Sequence, residues 1–158
     1  MIVVEENKDF ERIIGAADAP VFNALAARGT LLTNYYAIRH SSLPNYLTML
    51  AGDTFGIDHN CTDCSIPAQS LVDQLEAAGV SWKAYLQGLP EPCSKCFSSG
   101  DYAKKHNPFL YFDNIRANPT RCAKVVPFSE FSTDLKAHRS RSSSSSCPTK
   151  RTICTTVP

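Results

Sequence analysis

Three groups of residues are of the right type to do chemistry. Glu5-Glu6-Asn7 follows the β-branched run Met1-Ile2-Val3-Val4, so two carboxylates and an amide stand at the end of a short strand. These are hard oxygen donors of the kind a divalent cation takes. The second group is His40-Ser41-Ser42-Leu43-Pro44-Asn45. Pro44 suits the first position of a helix, which puts Ser42 at the helix mouth. N–H groups and the positive end of the helix dipole gather there, and they suit a phosphate or a developing oxyanion. A hydroxyl at that place, beside a metal, is an activated nucleophile. The third group is Cys61-Thr-Asp-Cys64 and Cys93-Ser-Lys-Cys96. Two Cys-x-x-Cys pairs read as one structural zinc site or as disulfides that pin two long loops, with Cys122 left over. The Pro-containing loops around both pairs tilt the balance toward disulfides.

Each group also has a plainer reading. Glu5-Glu6-Asn7 reads as a solvated turn into a helix, and Ser42 as a helix cap. His106 sits where a short helix over 102–106 ends, either as a surface cap or as a side chain that reaches a site at the sheet edge. The elements that carry these residues therefore matter.

Phe10, Ile13 and Ile14 have helical spacing up to Gly15. A second helix has Asp18 as a cap, Pro20 in its first turn, Val21, Phe22, Leu25 and Ala26 on one face, and Gly29 as its stop. Leu31 to Ala37 reads as a strand. A helix over Asn45–Ala51 stops at Gly52, and another over Ser70–Ala78 turns Leu71, Val72 and Leu75 inward. Val80 to Leu86 alternates as a strand, Val125-Val126 is a short strand, and Phe128 to Leu135 closes with a helix. Strands separated by single helices define an α/β fold with a mainly parallel sheet, whose ligands gather at the carboxyl ends of the strands.

The 158 residues amount to one domain, and 43% hydrophobic residues suffice for a core. A formal charge of +1 argues against an electrostatic nucleic-acid binder, so no nucleic-acid partner is expected. No apolar run approaches the roughly 18 residues of a membrane span. Met1 leads directly into a strand and acids, so no signal peptide is expected.

Val3-Val4-Glu5-Glu6-Asn7-Lys8-Asp9-Phe10 with Ile13-Ile14-Gly15 resembles the opening motif of the phosphoesterase family of the alkaline phosphatase superfamily. That family includes bacterial acid phosphatases and phospholipase C-like enzymes. Asn34-Tyr35-Tyr36-Ala37 and His40 to Tyr46 resemble its second motif. Asp73 to Gly79, Trp82 to Tyr85, and Lys105-His106-Asn107-Pro108-Phe109 continue the likeness, collinear over 2–135. The resemblance implies a three-layer α/β/α architecture and metal-dependent hydrolysis of phosphate esters through a serine phospho-enzyme. It makes Ser42 the nucleophile, Glu6 and Asn7 metal ligands, and Asn45 and His106 substrate contacts. It implies one or more divalent metal ions and a secreted or periplasmic location. The family's second half, with further Asp and His ligands, has no counterpart, which implies an N-terminal part with impaired activity.

From 136 the texture changes. His138-Arg139-Ser140-Arg141, five serines at 142–146 and Cys147-Pro148-Thr149-Lys150-Arg151 carry no hydrophobic period, and a disordered tail over 136–158 is expected. Residues 137–158 hold four formal positive charges and no acids, so the remainder of the chain stands at −3 rather than +1. The tail also has a sharper reading, as a shifted reading frame. Serine codons of the TCN type, read from the third base, encode only Val, Leu, Ile or Phe. Thr152 to Pro158 can likewise conceal Asp-Met-His-Asp-Cys-Pro, which resembles the family's missing metal-binding segment. Gene sequencing checks this: TCN serines and an open continuation in the other frame are expected, and AGY serines would overturn it.

Overall fold

The computed structural model describes residues 1–95, 98–141 and 151–155. Its strands are β1 (Ile2–Val4), β2 (Trp82–Leu86), β3 (Ser98–Ser99), β4 (Tyr102–Ala103), β5 (Val125–Pro127) and β6 (Arg151–Thr155). Its helices are α1 (Pro20–Arg28), α2 (Ser42–Ala51), α3 (Leu71–Ala77), α4 (Asp113–Arg116), α5 (Pro119–Cys122) and α6 (Phe131–Arg141). Four strands form a sheet in the order β1-β6-β2-β5, every pair parallel, with Ala84 opposite both Ile153 and Val125. β3 and β4 form a separate antiparallel pair. The expected α/β class with a mainly parallel sheet is what the chain adopts.

The chain divides into two compact units: residues 1–5 with 38–158, and residues 6–37. In the first, β2 is covered on both faces, as a parallel strand requires. Trp82, Ala84 and Leu86 join Leu43 and Leu47 of α2, Val72 of α3, Phe109, Tyr111, Phe112 and Val125 in the main core. Tyr85 faces the other way with Val126, against Phe128 and Phe131. The period of two along β2 separates these two clusters. The turn after β2 needs Gly88: its φ is +69°, and a Cβ there would lie 2.6 Å from the Tyr102 nitrogen.

In the unit 6–37, Asn23 ties α1 to the preceding turn. Its Oδ1 accepts from Gly15 N–H at 2.6 Å, and its Nδ2 donates to the carbonyls of Ile13, Ala16 and Ala19. The strand expected over Leu31–Ala37 does not form. Leu31, Leu32, Tyr35 and Tyr36 are exposed, and among the described residues no strand pairs with this segment.

The segment beyond 135 also differs from expectation where it is described. α6 runs on to Arg141, and Arg151–Thr155 takes the second position in the sheet, between β1 and β2. Thr152, Ile153 and Thr155 are β-branched, and pairing with β1 on one edge and β2 on the other is what makes the segment a strand. Residues 142–150 and 156–158 lie outside the described residues.

An ionic clasp joins α3, β2 and α5. Ser70 and Asp73 form a capping box at the start of α3. Asp73 also accepts from Asn114 at 2.9 Å and pairs with Arg121 at 2.9 Å. Glu76 takes Trp82 Nε1–H at 2.8 Å, Arg121 at 2.8 Å and Lys124 at 2.9 Å. Burial pushes the Glu76 carboxyl up, but the bonds from Trp82, Lys124 and Arg121 outweigh it and hold the pKa at about 2. A carboxylate depressed from 4.5 to about 2 stabilises the fold fully above pH 4.5, and the contribution fades as pH falls toward 2. Glu76→Gln is therefore expected to cost about 2 kcal/mol at pH 7. Thermal unfolding across pH checks this: the gap between parent and variant closes from pH 4.5 downward.

Candidate active site

Helix α2 begins one residue after Ser41, which holds the N-cap position with extended backbone (φ −90°, ψ 136°). Ser42 is thus the first residue inside the helix and not its cap. Pro44 stands two residues further in, and Gly52 in the left-handed region (φ 76°) ends the helix as expected. Leu43, Pro44, Tyr46, Leu47 and Leu50 are buried, so α2 is anchored along its length, while Ser42 is half-buried at the end that carries the positive dipole.

Two asparagines fix the backbone around Ser42. Asn45 Oδ1 accepts from Ile38 N–H at 2.9 Å and from Arg39 N–H at 3.2 Å. Its Nδ2 donates to Arg39 carbonyl at 2.8 Å and Ser41 carbonyl at 2.9 Å. All four hydrogen-bonding positions of the amide are thereby used on the loop 38–41. In the structure the Asn45 amide holds the approach to Ser42. On the other side, Leu43 N–H donates to Asn60 Oδ1 at 3.0 Å. Asn60 escaped the sequence reading. It lies next to Cys61 in the middle of the loop between α2 and α3, and no side-chain pattern marks it.

His106 ends a 3-10 turn (Lys104–His106) where a longer helix was expected, because Tyr102 and Ala103 pair as β4 instead. Its ring lies 5.8 Å from that of Tyr46. Tyr46 is four residues past Ser42, hence on the same side of α2, one turn further along. Ser42, Asn45 and His106 therefore collect around the first turns of one helix. Asn107 beside His106 is fully buried, and its Nδ2 donates to Tyr102 Oη at 3.0 Å.

Glu6 and Asn7 belong to the unit 6–37. Asn7 has φ 71°, a left-handed conformation that Asn tolerates better than most residues. An open cleft of about 480 Å³ in this unit is lined by Lys8, Arg12, Asp18 and Phe22 among others, and neither Glu6 nor Asn7 lines it. The two residues offer oxygen donors of the right kind for a divalent cation, which takes six or more. Among the described residues no three His, Cys, Asp or Glu side chains form a ligating group. The described donor set is right in chemistry and short in number.

Among the described residues, four cysteines are joined in two disulfides. Cys61 bonds to Cys64, and Cys93 bonds to Cys122, 29 residues away. Sulfurs joined to each other are not thiolate ligands, and this removes the Cys61–Cys64–Cys93–Cys96 module. Cys96 lies outside the described residues. Cys93 N–H donates to Val125 carbonyl at 2.8 Å, so the loop after β2 lies against β5 and within reach of Cys122 at the end of α5.

The phosphoesterase family profile matches residues 16–139, and the chain belongs to that family. It is 40% identical to a phosphatidylinositol-3-phosphatase of Mycobacterium tuberculosis over 132 residues, 83% of this chain and 42% of the relative. It is 36% identical to a probable acid phosphatase of Kluyveromyces lactis over 145 residues, 85% of this chain and 33% of the relative. An acid phosphatase of Aspergillus fumigatus is 37% identical over 139 residues, 82% of this chain and 30% of the relative. The chain thus spans between about a third and two fifths of the length of these relatives. No solved structure is a significant match.

Peptide mapping without reduction should recover Cys61–Cys64 and Cys93–Cys122 as linked pairs. Cys93→Ser with Cys122→Ser should lower stability by about 3.6 kcal/mol, the chain-entropy value for a loop that spans 29 residues. One tight zinc per chain, lost on thiol alkylation, would contradict both.

Proposed function

We propose that the chain is the nucleophile-bearing part of a hydrolase for phosphate esters, with Ser42 as the attacking group. The observation that carries this is the place of Ser42: first residue of a well-anchored helix, with Ser41 at the cap and the flanking backbone fixed on both sides. In the proposed reaction Ser42 Oγ attacks phosphorus and forms a P–O bond as the ester P–O bond breaks. The alcohol leaves with a proton. Water then attacks the phospho-serine, releases phosphate and restores the hydroxyl. The helix N-terminus stabilises charge on the phosphoryl oxygens, Asn45 holds the loop before Ser42, and His106 serves as an accessory contact.

Glu6 and Asn7 would hold a divalent metal together with donors beyond those described. Such an ion supplies a lowered hydroxyl pKa and charge neutralisation. A three-layer α/β/α sandwich is the architecture this reading implies, with the sheet described above as its centre. The names of the relatives point to phosphomonoesters as substrates. No helix among the described residues is long and apolar enough to cross a membrane.

The test is turnover of an aryl phosphate with added divalent cations, in the chain and in Ser42→Ala. The expected rate is slow, since the described donors at the metal are few. It should drop at least about a hundredfold in Ser42→Ala. Turnover that survives the substitution would overturn the role of Ser42.

A further inference from the structure

We infer that Asn60 is a positioning residue for Ser42, held against the start of α2 by the Cys61–Cys64 disulfide loop. The inference rests on the proposed role of Ser42. Asn60 is exposed, so packing does not fix its side chain, and its aim depends on its backbone. That backbone is anchored with unusual density. Cys61 is bridged to Cys64 and buried. The Cys61 carbonyl accepts from Tyr111 Oη–H at 2.7 Å, and Tyr111 is fully buried. The next carbonyl, that of Thr62, accepts from Lys104 Nζ at 2.6 Å. Lys104 is buried as well, with its ammonium 4.7 Å from the centre of the Tyr111 ring.

Burying an ammonium is costly, and burial lowers the Lys104 pKa from its ordinary value. Here it holds a loop carbonyl. A bridge, a buried hydroxyl and a buried ammonium thus converge on two consecutive residues, Cys61 and Thr62. The residue immediately before them, Asn60, takes the N–H of Leu43, the residue immediately after Ser42. Asn45 fixes the peptides before Ser42 and Asn60 fixes the one after it, so the backbone that carries the hydroxyl is held on both sides. Lys104 also belongs to the 3-10 turn that ends at His106, so a single stretch supports the disulfide loop and presents the histidine.

The test uses the ¹⁵N-labelled full chain and the hydrogen-exchange rate of the Leu43 amide. Asn60→Ala should speed that exchange about tenfold. Asn60→Asp keeps an acceptor oxygen and should stay within about twofold of the parent. Cys61→Ser with Cys64→Ser should speed Leu43 as Asn60→Ala does. The Val126 amide in the sheet serves as the control for folding and should not change. Where the parent turns over aryl phosphate, Asn60→Ala should lower kcat about tenfold with KM unchanged. Unchanged Leu43 exchange in Asn60→Ala, an Asp variant as fast as the Ala variant, a slow Leu43 in the bridge-free chain, or a rise in KM alone would each overturn the inference. If the parent hydrolyses nothing, the proposed function fails while Leu43 exchange still decides whether the clamp exists.

Discussion

The burial of β2 on both faces is the constraint on which the larger unit rests. A parallel strand with partners on both edges satisfies its backbone only inside a sheet, and its side chains then need cover above and below. Trp82, Ala84 and Leu86 demand one layer, and α2, α3 and the aromatic turn around Phe109 supply it. Tyr85 demands the other, and Phe128 and Phe131 supply it. α2 is placed by its packing on α3 and on the turns Lys104–His106 and Pro108–Tyr111, within the same core as β2. Ser42 inherits its position from that packing: the apolar residues of the helix set the axis, and the hydroxyl rides at its end.

Polar groups then remove the freedom that packing leaves. The side chains that do so are mostly amides and ions that bind backbone rather than one another. Asn23 gathers the turn before α1, Asn45 the loop before Ser42, and Lys104 the carbonyl of Thr62. Lys83 holds Glu130 and Asp134 at 2.8 and 2.6 Å and so ties β2 to α6 and the turn before it. Bonds of this kind add little to net stability but are expensive to leave unmade, which makes them good at selecting one loop conformation.

Local rules carried much of this organisation in the sequence. The stop of α2 at Gly52, the inward face Leu71-Val72-Leu75 of α3, and the alternation of β2 need nothing beyond neighbours three or four residues away. Ser42 at a helix start follows from Pro44 in the same way. What local rules missed depended on distant partners. Leu31 to Ala37 has strand-like residues but no strand to pair with, whereas Arg151 to Thr155 finds two strands and joins them. Cys93 was read with Cys96 by spacing, yet bonds to Cys122, which three-dimensional proximity alone could reveal. Asn60 and Asn45 act through backbone groups up to 17 residues away, and no pattern of side-chain types announces that.

Trp82 is the chain's single tryptophan. Its indole is 4% exposed, lies parallel to the Phe109 ring at 5.7 Å, donates to Glu76 and has the Lys124 ammonium 5.1 Å from the centre of its ring. One chromophore thus sits where α3, β2 and α5 meet, in contact with one anion and one cation. Its emission colour and quenching are an optical gauge of that junction, supplied by the molecule itself and readable without any label.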